Sequence, residues 1–305
     1  MSDFWAQIAP STMTAFTTTY AQVKQYKPDN LRAVARNMAL NGLSLKTKLP
    51  GASKLLSKPR VQFLYIHHVF KDELDNFDKL LERLSKHHTF ISYSEAVERV
   101  RTGNIDKAYI SISSDDGFKN NLDAANVMAK YGASACFFVN PDTIGLKDPE
   151  KIAEFCKRQL NFPPTEFMSW DEVDSLLKRG HEIGSHSMGH INIAKTELAQ
   201  VEDNLNQSYQ ILKEKCGDVA HFAYPYGRYF HFNQQALELT FKAGFTSCCS
   251  AERGCHIPPT QALANEELFI RRDHLVCDWP LDHIIYFMMS NARKASLQNN
   301  LNPYL

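Results

Sequence analysis

The sequence predicts an α/β fold in which strands alternate with helices. Short apolar runs of strand length recur along the chain, and segments with apolar residues at helical spacing lie between them. Glycines and capping residues separate the two kinds of segment. At least six such units follow one another over about 220 residues. This pattern indicates a parallel sheet, either closed as a barrel or open as a doubly wound sheet.

The predicted elements follow in chain order from residue 61. Strands are predicted over 61–66, 108–112, 135–139, 181–185, 221–224, 245–250 and 271–275. Helices are predicted over 73–86, 122–130, 170–178, 196–215 and 232–243, the third of them opening on a capping box from Ser169 to Glu172. In parallel sheets of this kind, functional side chains gather at the carboxyl ends of the strands.

Residues 1–59 have a different character and carry no motif. One helix is predicted over 30–43, and residues 46–59 are rich in Lys, Pro, Gly and Ser. We therefore expect two parts: an N-terminal, partly helical extension over 1–59 and the α/β domain over 60–305.

Composition and charge narrow the class of protein. The chain is 44% hydrophobic and 22% charged, which is typical of a globular protein with a sizeable core. Its 34 basic residues balance its 34 acidic residues, so overall charge indicates neither nucleic-acid binding nor attraction to an anionic membrane. No secretory leader or membrane-spanning run is apparent, and seven scattered cysteines suit a reducing compartment. These features predict a cytoplasmic protein without a membrane span.

Two adjacent carboxylates follow the strand at 108–112. In the segment Ser113 to Gly117, Asp115 and Asp116 are neighbours, and two buried like charges require a cation or a shared proton. A metal held by one carboxylate would leave the other free as a base. The alternative is a solvated turn, because Asp-Gly is a common turn signal.

Two histidines follow the strand at 181–185. His186 and His190 are four residues apart and can present both rings to one cation, as zinc sites require. Taken alone, the pair is also compatible with structural histidines in a chain that has 12 of them. Together with the paired carboxylates, it indicates a hydrolytic zinc site with room for water.

Two further clusters have plain structural interpretations as well. Residues 222–227 read as an aromatic strand end and turn, and residues 271–275 as a charged edge strand. Cys248, Cys249, Cys255 and His256 have no standard zinc-ligand spacing, so we predict no second metal site there.

The three ordered clusters resemble the motifs of a known family, the polysaccharide deacetylases with a NodB-homology domain (carbohydrate esterase family four). Residues 113–117 resemble its T-F-D-D-G motif, 186–190 match H-S/T-x-x-H, and 223–226 keep the Pro and Tyr of R-x-P-Y/F. Residues 64–69 are similar to an L-x-Y-H-x-V opening found in one branch of the family, and 131–139 to the strand after the first motif. The resemblance covers residues 61–276.

The resemblance implies a distorted (β/α) barrel and a set of site residues. One divalent metal per chain, usually zinc, would be held by Asp116, His186 and His190. Asp115 would be the general base, the backbone N–H of Tyr226 would stabilise the oxyanion, and His274 would protonate the leaving amine. Contacts with the substrate, an N-acetylated sugar, would come from Tyr226, Pro225, His67 and Arg272.

The sequence departs from the family pattern at several positions. Ala223 stands where the family often has an arginine that orients the base, and Arg272 or Arg228 could take over that role. Ser114 replaces an aromatic residue, and Asp278-Trp279 is only a fragment of the D-x-x-D-W motif. Three hypotheses stay open: a sugar N-deacetylase, a hydrolase of another amide, formamide or cyclic imide, and an inactive glycan-binding member. The sequence does not predict an oligomeric state.

Overall fold

The computed structural model of the protein describes residues 16–28, 31–48 and 51–304. Within these residues, the strands form one parallel sheet with the order β7-β6-β5-β4-β3-β1-β8, and β2 lies beside β3. The strands are β1 (Arg60–Ile66), β2 (Thr89–Phe90), β3 (Ala108–Ser114), β4 (Ala135–Val139), β5 (Glu182–Ser185), β6 (His221–Ala223), β7 (Ser247–Cys249) and β8 (Arg272–His274).

The two ends of this sheet approach each other through the segment that leads into β8. Ile270 forms a parallel bridge with Cys249 of β7, and two residues later the same segment pairs with β1. The sheet is therefore a nearly closed barrel. The prediction of a (β/α) barrel is confirmed, and the doubly wound sheet was the wrong alternative.

Helices surround the barrel and connect its strands. They are α1 (Tyr20–Tyr26), α2 (Leu31–Ser44), α3 (Ala52–Leu56), α4 (Leu74–Ser85), α5 (Tyr93–Thr102), α6 (Asn121–Ala129), α7 (Pro149–Phe155), α8 (Trp170–Lys178), α9 (Leu198–Cys216), α10 (Gln234–Ala243) and α11 (Leu281–Arg293). The predicted capping box is present at α8, where Ser169 and Glu172 cap each other's backbone N–H groups. Sequence analysis missed α1, α3, α5, α7 and α11.

Side chains alternate between two apolar layers along each strand. On β1, Val61 and Phe63 belong to the barrel interior, whereas Leu64 and Ile66 belong to the outer layer beneath the helices. On β3, Tyr109 faces the interior, so that the same face continues through positions 111, 113 and 115 toward the carboxyl end. This register directs Asp115 into the mouth of the barrel.

The same alternation separates two of the cysteines that sequence analysis considered together. Cys248 lies in the outer layer and Cys249 in the barrel interior, so the two thiols point to opposite faces of β7.

Within the described part of residues 1–59, α2, α3 and residues 45–48 pack against α11. The side chains of Leu40 and Ser44 are buried, and Asn41 is hydrogen-bonded to His283 over 2.8 Å. Lys48 forms an ion pair with Asp282 over 3.1 Å. The helix predicted over 30–43 corresponds to α2, with Asn30 outside the described residues. The domain boundary between residues 59 and 60 stays a prediction. Among the described residues, no helix combines the length and apolar composition needed to span a bilayer.

Candidate active site

Polar side chains gather at one end of the barrel, where the parallel strands finish. Asp115 and Asp116 follow β3, His186 and His190 follow β5, and residues 224–227 follow β6. His67 follows β1, and His274 is the last residue of β8. Since all these strands run in the same direction, their carboxyl ends share one rim of the barrel.

Asp116, His186 and His190 form a compact buried cluster. The Nε2 atoms of His186 and His190 each lie 3.6 Å from Oδ1 of Asp116, and the three donor atoms lie within 4.8 Å of one another. Oδ1 of Asp116 is buried and has no hydrogen-bond partner in the structure. Nδ1 of His186 lies 2.6 Å from the carbonyl oxygen of Ala223, and a proton on Nδ1 leaves Nε2 with its lone pair toward Asp116.

The electrostatics of the cluster suit a divalent cation. Burial, together with the neighbouring Asp115 charge, raises the pKa of Asp116 well above its usual value. Burial lowers the pKa of His186, and it lowers the pKa of His190 well below its usual value. The site thus combines two neutral imidazoles with a buried carboxylate that lacks a counter-charge. Two His nitrogens and one carboxylate oxygen, with further positions open to water or substrate, are a donor set that fits zinc, so these three side chains could hold such an ion.

The backbone at the site adopts sparsely populated conformations. In the described part of the chain, five non-glycine residues have positive φ angles: Asp116 (72°), Asn161 (48°), Ser187 (66°), His190 (57°) and Tyr226 (64°). Four of them lie in the motif segments, and such a conformation costs a non-glycine residue about 1–3 kcal/mol. These strained conformations reduce the stability of the fold, and they orient the side chains and backbone N–H groups of the site.

Gly227 allows the turn that carries Tyr226. Its φ is +63°, and a Cβ atom at this position would lie 2.3 Å from the Cβ of Ala251. The carbonyl oxygen of Gly227 accepts a hydrogen bond from the backbone N–H of Ala251 over 2.8 Å. Only glycine permits this approach, which fixes the turn after β6 against the segment after β7.

Asp115 is held by a buried arginine from β8. Arg272 donates from both terminal nitrogens to the carboxylate, over 2.7 Å to Oδ1 and 2.9 Å to Oδ2. The guanidinium also donates to the carbonyl of Ser250 over 3.0 Å and lies 4.5 Å from the centre of the Tyr65 ring. Burial alone would raise the pKa of Asp115, but the charge and hydrogen bonds of Arg272, together with the contributions of His186 and His67, outweigh burial and lower the pKa to about 2. Asp115 is therefore a fixed anion.

These contacts revise two of the substrate-binding assignments and identify the arginine beside the base. Arg272 is fully buried and directed at Asp115, and neither Arg272 nor the buried Pro225 lines the cavity. Arg228 pairs instead with Glu252 over 3.1 Å and is half exposed. Of the two arginines considered for the missing motif position at Ala223, Arg272 is the one that contacts Asp115.

His67 and His274 form a pair on the other side of the carboxylate. Nδ1 of His67 lies 3.1 Å from Nε2 of His274, so one proton bridges the two rings. Burial lowers the pKa of His67 to about 4, and burial with the His67 charge lowers that of His274 well below its usual value. Both rings line the cavity, and both are neutral at pH 7 before a substrate binds.

The cluster opens into a cavity of about 540 Å³, a size typical of sites for small molecules. Tyr226 lines it with a ring that is 40% exposed and 4.7 Å from the ring of His190. Part of the wall was not predicted from the sequence. It consists of residues from α1 and its C-cap and from the segment after α7, namely Tyr20, Val23, Lys24, Lys27, Gln159, Leu160, Asn161 and Phe162. No motif marks these residues, since they reach the cavity only through tertiary packing.

Comparison with known proteins agrees with this geometry. The family model described as polysaccharide deacetylase matches residues 102–248. A Streptococcus pyogenes deacetylase, PplD in complex with acetate, superposes with a TM-score of 0.58 and 15% identity over 76% of this chain and 99% of its own. IcaB from Ammonifex degensii superposes with a TM-score of 0.57 and 17% identity over 75% of this chain and 97% of its own.

A polysaccharide deacetylase from Bacillus cereus gives a TM-score of 0.58 and 19% identity over 76% of this chain and 69% of its own. At these identities, the superpositions establish the fold. No curated protein matches the sequence. The matched family model, the barrel and the order of the motif segments agree with the polysaccharide deacetylase family, whose motifs this sequence resembles.

Proposed function

We propose that this protein is a metal-dependent hydrolase that removes the N-acetyl group from an amino sugar in an oligo- or polysaccharide. The observation that carries the proposal is the anionic Asp115, clamped by Arg272 beside the cluster of Asp116, His186 and His190. Such a pair of carboxylates separates two tasks, because one binds a cation while the other stays free to accept a proton.

Asp116, His186 and His190 would hold one metal ion per chain, and the donor set favours zinc. When bound, the metal would make water more acidic and polarise the acyl carbonyl group. The hydrogen bond from His186 to Ala223 keeps the ring in the tautomer that a ligand needs.

Asp115 accepts a proton from the attacking water in this proposal. Arg272 holds both carboxylate oxygens, so the carboxylate stays ionised and in one orientation. The water oxygen forms a bond with the acyl carbon, the C–N bond breaks, and the nitrogen leaves with a proton as an amine.

The hydrogen-bonded pair of His67 and His274 supplies the proton to the leaving nitrogen. An amine anion is a very poor leaving group, so a positioned acid is required. Negative charge on the acyl oxygen nearby raises the proton affinity of the pair during the reaction, so that the pair takes up the proton that Asp115 accepted from water and passes it to the nitrogen. The backbone N–H of Tyr226, held at φ 64°, is the proposed donor to that oxygen. His67 and the Tyr226 ring would contact the sugar from the cavity wall.

The contact between Arg272 and Asp115 favours this function over an inactive glycan-binding protein. A protein that only binds glycan gains nothing from an ionised carboxylate beside a metal site, and the buried ion pair is costly to maintain. Hydrolysis of another amide, formamide or cyclic imide uses the same residues, and the assay below distinguishes it. The cytoplasmic location stays a prediction.

The experiment is a hydrolysis assay of the full chain loaded with Zn²⁺. It measures acetate from N-acetylglucosamine oligomers, formate from an N-formyl amino sugar and ring opening of a cyclic imide. We expect acetate release from the oligomers, its loss with a chelator and its recovery with Zn²⁺. Arg228→Met is the control variant. Arg228 forms an ion pair with Glu252 on the surface, so this substitution should leave turnover unchanged. Hydrolysis of the imide alone would contradict the proposed substrate, and no hydrolysis of any of the three would contradict the activity.

A further inference from the structure

Helix α2 has an apolar stripe that faces away from the protein. Its inner face packs against α11 through the buried Leu40 and Ser44. On the opposite side, the exposed fractions are 89% for Leu31, 45% for Val34 and 65% for Met38. Leu45, directly after the helix, is 60% exposed.

These four residues form one continuous stripe. Their spacing of three, four and seven residues places them on one side of a helix with 3.6 residues per turn. No described residue covers them. Exposed apolar side chains are ordinary when scattered, but an aligned stripe on one helix marks an interaction surface.

The N-terminal part of the chain that contains the stripe is basic. Residues 1–59 contain eight Lys or Arg and two Asp, which leaves 26 basic and 32 acidic residues in 60–305. The balanced charge of the whole chain therefore conceals a basic N-terminal part. Within the described residues, four exposed lysines of this part form no ion pair, namely Lys27, Lys46, Lys54 and Lys58.

A small pocket next to the end of the stripe carries two of the cations. Lys46 of the extension and Arg293 of α11 line it together with Tyr286, Met289 and Ser290. No carboxylate is among the lining residues. Lys46 directly follows Leu45, so this pocket presents cations beside the apolar side chains and suits a phosphate-bearing head group.

We infer that α2 docks this protein on an anionic phospholipid bilayer, with the stripe of Leu31, Val34, Met38 and Leu45 in the interfacial region. A helix with an apolar side, in a basic part of the chain and with cations next to the end of its apolar stripe, is typical of proteins that bind such surfaces. A second copy of the chain is disfavoured as the partner, because a symmetric contact would bring two basic surfaces together. The inference is independent of the proposed activity.

The test is co-sedimentation of the full chain with vesicles of phosphatidylcholine, with and without phosphatidylglycerol. We expect binding only to the anionic vesicles, and weaker binding at high salt, because exposed charges are screened. Equal binding to both vesicle types, or binding to neither, would overturn the inference.

Two double variants separate the apolar from the ionic contribution. Leu31→Gln/Met38→Gln should reduce vesicle binding by at least roughly tenfold, since partly buried apolar side chains are lost from the interface. Lys46→Glu/Lys54→Glu should reduce it by at least roughly 20-fold, because each cation near an anionic surface strengthens binding about fivefold. Retained binding in both variants would overturn the assignment to α2.

The control variants carry the same kinds of substitution at exposed positions outside α2. Leu198→Gln alters an exposed leucine at the start of α9, and Lys213→Glu/Lys215→Glu makes the same charge change at the end of that helix. Both should bind vesicles like the parent chain. If the stripe variant instead converts a dimer into a monomer and the parent binds no vesicles, a second copy is the partner and the inference is wrong. Turnover of a soluble N-acetyl sugar should be unchanged in every variant, which separates this test from that of the activity.

Discussion

Replacing Arg272 by Met tests how the base is held. The pKa of Asp115 is about 2, against an ordinary value of 3.8, so ionisation of this carboxyl stabilises the fold by about 2 kcal/mol at pH 7. Without Arg272, burial would dominate and the pKa would rise instead. Removal of one partner from a buried ion pair costs about 3–5 kcal/mol, and the carboxyl reduces this cost by taking up a proton.

A protonated Asp115 cannot accept a proton from water, so Arg272→Met should lower kcat by about 10²–10⁴-fold at pH 7. Its activity should recover toward higher pH, because the base must be ionised. The difference in stability between the variant and the parent should instead change at low pH. Asp115 has a depressed pKa in the folded state, so its contribution is complete above about pH 4 and disappears as the pH falls through about 2.

The assay combines turnover against pH with urea unfolding and metal content. Metal content should stay near one equivalent, since Arg272 contacts Asp115 and not Asp116. Arg272→Lys should be intermediate because it keeps the charge but not the two-point contact. Full turnover of Arg272→Met at pH 7, or a loss equal to that of Arg228→Met, would refute the role of this arginine.

Three further predictions follow from the same structure. His67→Asn and His274→Asn should each lower kcat by about 10²–10⁴-fold, and the double variant by little more, because the two rings share one proton; additive losses would show that they act separately. Glu182→Gln should lower the free energy of unfolding by about 1–3 kcal/mol at pH 7, because hydrogen bonds from His221 and Ser94 outweigh the effect of burial and lower the pKa of Glu182 to about 2. In urea titrations, the stability difference from the parent should therefore vanish as the pH falls from 4.5 to 2, and a difference that does not depend on pH would contradict this account. Zn²⁺ at 100 times its Kd should stabilise the parent by about 2.7 kcal/mol and raise its Tm, and an equal rise in Asp116→Asn would place the ion elsewhere.

The sequence was informative wherever a local pattern decided the structure. Short apolar runs of strand length located the strands, and Ser169 with Glu172 located the start of α8. Helix α11 had a usable signal that was not used, since Ile284, Ile285, Met288 and Met289 recur at helical spacing and are buried. Helix α5 had a usable signal, since Ser92 caps Glu95 at its start.

The residues of the site divide in the same way. Asp116, His186 and His190 lie in short motifs next to strand ends, so their proximity follows from the parallel sheet. The contact from Arg272 to Asp115 joins residues 157 positions apart and depends on β8 closing the barrel beside β1. The sequence indicated Arg272 and Arg228 as candidates for this role, but neither motif nor spacing distinguishes between them. The cavity wall from α1 is of the same kind.

The central claim is that the two adjacent carboxylates have different tasks. Asp116→Asn should lose metal and turnover together, because a neutral amide is a much poorer ligand for a hard dication. Asp115→Asn should keep near-normal metal content and lose turnover by about 10²–10⁴-fold. The decisive measurement is zinc content and acetate release from N-acetylglucosamine oligomers, determined in parallel on both variants and the parent. Full turnover in Asp115→Asn, or full metal content in Asp116→Asn, would contradict the account.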